Sequence, residues 1–117
     1  MEQLKSNEYW DGMKRFAAMP KTYMKISYFA ETDPDWKNGD TVIEKAVELI
    51  RLFGPNRCMF ATNFPCDNAE RFAGGWTMKK MLDTFKEIGK NFTEEEQARL
   101  WRETAIEVYQ MGEFFKN

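Results

Sequence analysis

Between Thr41 and Thr62 the chain has few ways to fold. Val42, Ile43, Ala46, Val47, Leu49, Ile50 and Phe53 recur at helical spacing and make a broad apolar face. Thr41 and Glu44 read as a capping box at the start of that helix. Gly54-Pro55 stops it, and an apolar run from Cys58 to Thr62 follows almost at once. Upstream, Tyr23 to Phe29 is also β-prone, with Met24, Ile26 and Tyr28 on one face and Tyr23, Lys25, Ser27 and Phe29 on the other. Two strands joined by a helix of this length cannot form a hairpin. They predict a parallel βαβ unit with a right-handed crossover.

The flanks extend the pattern. Glu8 to Ala18 suits a helix, with Asn7 as its cap, Tyr9, Trp10, Met13, Phe16 and Ala17 at helical spacing, and Met19-Pro20 as its stop. Ala30 to Gly39 and Asp67 to Gly75 read as loops. A third helix is expected from Trp76 to Ile88, with Met78, Met81, Leu82, Phe85 and Ile88 inward. A fourth starts at Thr93, whose hydroxyl pairs with Glu96 in a capping box, and is expected to bury Leu100, Trp101, Ala105, Val108 and Tyr109 before Gly112 ends it. The expected fold is therefore one α/β domain over 1–117, in the order α-β-α-β-α-α. A two-stranded parallel sheet leaves both edges unpaired, so completion by a further chain or by more sheet is expected.

Charge narrows the function. Seventeen basic and nineteen acidic residues leave a net charge of −2, without the basic stripe of a nucleic-acid binder. No apolar run approaches the ~18 residues of a membrane span. The opening Met-Glu-Gln-Leu-Lys-Ser does not read as a signal peptide, and Cys58 and Cys66 are not spaced as a CxxC pair. Reduced thiols and a cytoplasmic location are the expectation. The chain contains no histidine, so the usual proton shuttle and commonest metal ligand are missing.

The run Phe53-Gly54-Pro55-Asn56-Arg57-Cys58-Met59-Phe60-Ala61-Thr62-Asn63-Phe64-Pro65 resembles the last barrel strand of the amidohydrolase-related (amidohydrolase 2) family. These are TIM-barrel, often metal-dependent hydrolases, lactonases and decarboxylases. The resemblance extends upstream through Trp10-Asp11-Gly12-Met13 and through Tyr23-Met24-Lys25-Ile26-Ser27, which is similar to the preceding barrel strand. Downstream, Thr93-Glu94-Glu95-Glu96 and the Trp101 to Tyr109 helix resemble the family's C-terminal helix. Nearly the whole chain is covered, but only the last quarter to third of a family barrel. The resemblance therefore implies a partial TIM-barrel-like segment whose metal-binding histidines would lie on earlier strands outside this chain.

The candidate site residues follow from that resemblance and from the strand ends. The family position matching Asn63 is frequently an aspartate at the barrel mouth, acting as base and metal ligand. An amide there cannot take up a proton near neutral pH and offers no anionic oxygen. Asn63 is the candidate catalytic position, with a hydrogen-bonding role toward substrate or, equally, toward the backbone before Pro65. Lys25, Ser27 and Asp67 are candidate substrate-binding residues; Lys25 with Ser27 would make a nucleophile and base only in a dry cavity. Cys66, near the active end, is the better candidate thiol, and Cys58 reads as core. Arg57 and Arg71 are candidates to grip an anion. No metal or other cofactor is expected from the chain's own residues. Two functional classes follow: an inactive fragment or derivative of a hydrolase of C–O or C–N bonds, lactonase-like by resemblance, or a small-ligand-binding or interaction module. The expected partners are further copies of the chain or the missing N-terminal barrel portion, and a small molecule, with no nucleic acid and no membrane.

Overall fold

The computed structural model describes residues 5–27, 39–63 and 77–115. In chain order it comprises α1 (Asn7–Ala17), β1 (Met24–Ile26), α2 (Gly39–Phe53), a 3-10 turn (Pro55–Arg57), β2 (Cys58–Phe60), α3 (Met78–Gly89), α4 (Glu94–Ala98), a π-helical segment (Arg99–Glu103), α5 (Thr104–Val108) and a final 3-10 turn (Gly112–Phe115). The strands are parallel neighbours in one sheet, with Met24 opposite Cys58, Lys25 opposite Met59 and Ile26 opposite Phe60. The expected α/β order with two parallel strands is what the chain adopts. The regular strands are shorter than the apolar runs, although Ala61 N–H still donates to Ile26 O at 3.1 Å and carries the ladder one step past β2.

The register assigns the two faces of the sheet. Ile26 and Cys58 belong to the core formed with α2 (Val42, Ala46, Val47, Ile50, Phe53) and α3 (Met81, Phe85, Ile88), and Leu100 of the C-terminal segment joins them. Phe60 stacks on Phe85 at 4.5 Å between ring centroids, and Trp101 meets both rings edge-on. Side chains alternate along a strand, so Lys25 and Met59 point to the opposite face. Met59 is nonetheless buried.

Several local expectations change. Ser6, rather than Asn7, caps α1, accepting from the Tyr9 amide at 3.4 Å. α2 starts at Gly39, which leaves Thr41 and Glu44 inside the helix instead of capping it. α3 starts behind Thr77, which caps the Lys80 amide at 3.1 Å; Trp76 lies outside the described residues, and Met78 is exposed. The Thr93–Glu96 capping box forms as expected. The fourth helix is not uniform, because Arg99–Glu103 widens into a π-helical segment. Leu100 and Thr104, one turn apart, face inward and are fully buried, which turns Trp101 and Tyr109, expected inside, toward the exposed side. Thr104 Oγ1 donates to Pro55 O at 3.2 Å, which a regular apolar pattern does not foretell.

Gly54 marks the pivot between α2 and β2. Its N–H closes the last turn on Ile50 O at 2.7 Å, while its φ of 92° is a conformation that side-chain-bearing residues rarely adopt. Arg57 then locks the corner. Its guanidinium donates to Phe53 O (3.1 Å), Met19 O (2.8 Å) and Ala17 O (2.7 Å), with longer contacts to Thr22 O and Thr22 Oγ1. These carbonyls cluster where α1 and α2 end, where helix dipoles place partial negative charge and unpaired acceptors. Arg57 is thus a clamp on helix ends, not a grip for an external anion.

Candidate functional site

β2 runs toward Asn63, and the chain turns there. Asn63 has φ 56°, in the left-handed region that asparagine tolerates better than most residues. Ser27 would fall level with Ala61 if the register continues, so Asn63 lies about 7 Å further along the sheet at ~3.3 Å per residue. By alternation Lys25, Ser27, Met59 and Ala61 share the face turned away from α2 and α3. Lys25 lies level with Met59, about 13 Å short of Asn63 on the same rise. Its ammonium is directed elsewhere: Lys25 Nζ sits 5.5 Å from the centroid of the Tyr109 ring, a cation–π contact with the segment after α5.

The strand end therefore sets Ser27 closer to Asn63 than Lys25 is. Ser27 is half-buried and Lys25 exposed, so the described residues form no dry cavity around this lysine. Asp67, Cys66 and Arg71 lie outside the described residues. Cys58 is fully buried, and burial pushes its thiol up to about 12 against the opposing charge of Arg57. It is a core thiol, as its position at the start of the strand implied, and it is inert near neutral pH.

The donor set also bears on a metal. The chain has no histidine, and the described residues contain no grouping of three His, Cys, Asp or Glu side chains able to hold an ion. Asn63 supplies at most a neutral amide oxygen. These described residues do not fit a divalent metal of their own.

At the other end of β2 the polar groups are more crowded. A cleft of about 960 Å³ opens between Gly54–Arg57 and the first turns of α4, with Glu94, Glu95, Glu96, Arg99 and Glu103 on its wall. Arg99 Nη2 donates to Asn56 O at 2.8 Å and to Glu107 Oε2 at 2.5 Å. With Thr104, this ties the C-terminal segment to the entry of β2. The cleft lies at the amino end of the parallel strands, away from Asn63. Sequence reasoning missed Arg99 and Thr104 in this role because one reads as a solvated charge and the other as an ordinary helix residue.

Comparison with known proteins accords with this geometry. A family model described as Amidohydrolase matches residues 3–111. An uncharacterized protein, y4mH, of Sinorhizobium fredii is 29% identical over 100 residues, covering 85% of this chain and 31% of its own length. The chain thus spans less than a third of that relative. No solved structure matches. Since the family match takes in both strands, the helix between them and the C-terminal helices, this chain belongs to the amidohydrolase family.

Proposed function

We propose that this chain is the C-terminal segment, or a derivative, of an amidohydrolase-type hydrolase of C–O or C–N bonds, lactonase-like in its substrates. The observation that carries the reading is Asn63, held left-handed just past the carboxyl end of a parallel strand in a chain of this family. Ligands and reacting groups of parallel α/β proteins gather at that end. The Asn63 amide can donate to a substrate carbonyl or carboxylate and accept from a hydroxyl, with Ser27 as a second hydrogen-bonding group at the end of the neighbouring strand. Neither group can act as a base near neutral pH, so proton abstraction needs residues beyond those described. In this reading the chain alone binds without turning over, and strands from a further polypeptide supply the chemistry. It works in the cytoplasm, where a thiol such as Cys58 stays reduced.

The test is thermal unfolding with a panel of lactones and their hydroxy-acid products, with hydrolysis of the same panel assayed in parallel with and without added divalent metal. Stabilisation of the native chain, lost in Asn63→Gly, without turnover is the expected result, because a ligand that binds only the folded state raises Tm. Glycine is the right replacement because it accepts the backbone angle of Asn63. Turnover by the chain alone, or equal stabilisation of both proteins, overturns the reading. A second reading, a non-catalytic binding or interaction module, is favoured by one feature: an apolar groove beside α1, lined by Met13, Phe16, Tyr23 and Met24.

A further inference from the structure

The C-terminal segment touches both faces of the sheet. Leu100 joins the core that Ile26 and Cys58 form with α2 and α3, and Trp101 meets Phe60 and Phe85 edge-on on that same side. Past α5 the chain has changed sides. The Tyr109 ring lies 5.5 Å from Lys25 Nζ, and Lys25 belongs by alternation to the face turned away from α2 and α3. Between these points Arg99 Nη2 donates to Asn56 O at 2.8 Å and Thr104 Oγ1 to Pro55 O at 3.2 Å, so the segment crosses at the amino end of β2. Met59 reports that the second face is covered. It points the same way as Lys25 and stands outside the core made with α2 and α3, yet it is only 4% exposed. Among the described residues, the elements that pack most extensively on β2 besides β1 are the π-helical segment and α5.

We propose that residues 104–111 form a strap that folds across the amino half of the second sheet face and covers Met59, with Tyr109 on Lys25 as its releasable catch. The two attachments differ in strength. The base is held by hydrogen bonds to backbone carbonyls, one of them from the fully buried Thr104. The tip is held by an exposed lysine against a ring that is itself 52% exposed, a contact weaker than a buried hydrogen bond whose loss orphans a polar group. Beyond the tip, Gln110 turns the chain with φ 56°, and Met111 N–H closes the end of α5 on Ile106 O at 2.8 Å. The strap therefore lifts about its base as one closed helical unit. Lifting it brings Lys25 and Met59 into water together, and with it down a strand or ligand approaching this face from the amino end is blocked. Its attachments lie toward the amino end of the strands, so the device does not rest on the substrate role given to Asn63.

Oxidation of the native chain by dilute hydrogen peroxide, followed by peptide mass mapping, tests this. Each thioether takes one oxygen from peroxide and releases water, at a rate that follows its exposure. Exposed Met19 and Met78 mark the fast limit, and fully buried Met81 marks the core. Met59 is expected to oxidise slowly, as Met81 does. Tyr109→Ala and Lys25→Gln each remove the catch and are expected to speed Met59 oxidation roughly 2- to 5-fold, the worth of one exposed cation–π contact, with Met81 unchanged. Native Met59 oxidising as fast as Met19 overturns the proposal, because the face is then uncovered. So does an unchanged Met59 rate in both variants, which means that Tyr109 is not the catch. Acceleration of Met81 in step with Met59 overturns it as well, since the whole core rather than the strap is then opening.

Discussion

The two ends of the sheet are built on different principles. At the amino end of β2, backbone carbonyls from the ends of α1 and α2 converge on Arg57, Asn56 O binds Arg99, and Pro55 O accepts from Thr104. At the carboxyl end Ala61 N–H donates to Ile26 O, and the chain passes through a left-handed Asn63. The first end joins elements 35 to 49 residues apart in sequence through hydrogen bonds that exclude alternatives. Parallel α/β proteins divide their labour this way, with stability below the strands and chemistry above them.

The sharpest way to break that comparison is at Arg57. Arg57→Met keeps the apolar stem and removes the donors that reach Phe53 O and Ala17 O, while Met19 O keeps Thr22, and is expected to cost about 3 kcal/mol by urea unfolding. Arg57→Lys should recover little, because a point charge cannot reproduce a planar fork. An effect within ~0.5 kcal/mol would show that the amino end is not the anchor.

Cys58 gives a smaller, pH-dependent effect. Its thiol is pushed from an ordinary 9.0 to about 12 by burial, so between those values the folded chain keeps a proton that the unfolded chain loses. The native state then binds more protons, and stability falls as pH rises. The contribution is intact below pH 9 and declines above it, by about 1.4 kcal/mol per pH unit at most. Tyr9, its hydroxyl also raised by burial, adds the same sign above pH 10, so pH 7 to 10 is the useful window. Urea midpoints should hold level from pH 7 and slope downward as pH passes 9, and Cys58→Ala should remove that decline.

The smallest change in stability belongs to Asn63. Asn63→Gly, which relieves the left-handed angle, is expected to shift unfolding by no more than ~0.5 kcal/mol while abolishing ligand stabilisation. A large loss of stability would instead place Asn63 among the structural residues and erase the contrast between the two ends.

Much of the framework was legible because it rests on local chemistry. The apolar spacing of Val42 to Phe53 and the Gly54-Pro55 stop foretold α2 and its exit, and Thr93 with Glu96 foretold a cap. Misreadings occurred where distant residues decide. Arg57 read as a candidate grip for an anion until α1 and α2 placed their carbonyls around it. Trp101 and Tyr109 were expected inside but are exposed, while Thr104, one turn after Leu100, is buried and bonded to Pro55 O. Lys25 and Ser27 were grouped by strand alternation, yet the register sets Ser27 closer to Asn63 and sends Lys25 to Tyr109.

Sequence alone determined the alternation of helix and strand, the parallel pairing and the family, because each depends on periodicity and on residues close in the chain. It also determined the chemical limit of the site, since an amide and no histidine restrict what any arrangement can do. Tertiary structure decided which end is locked and which polar groups meet there. Those outcomes depend on long-range carbonyl positions, which no local pattern encodes.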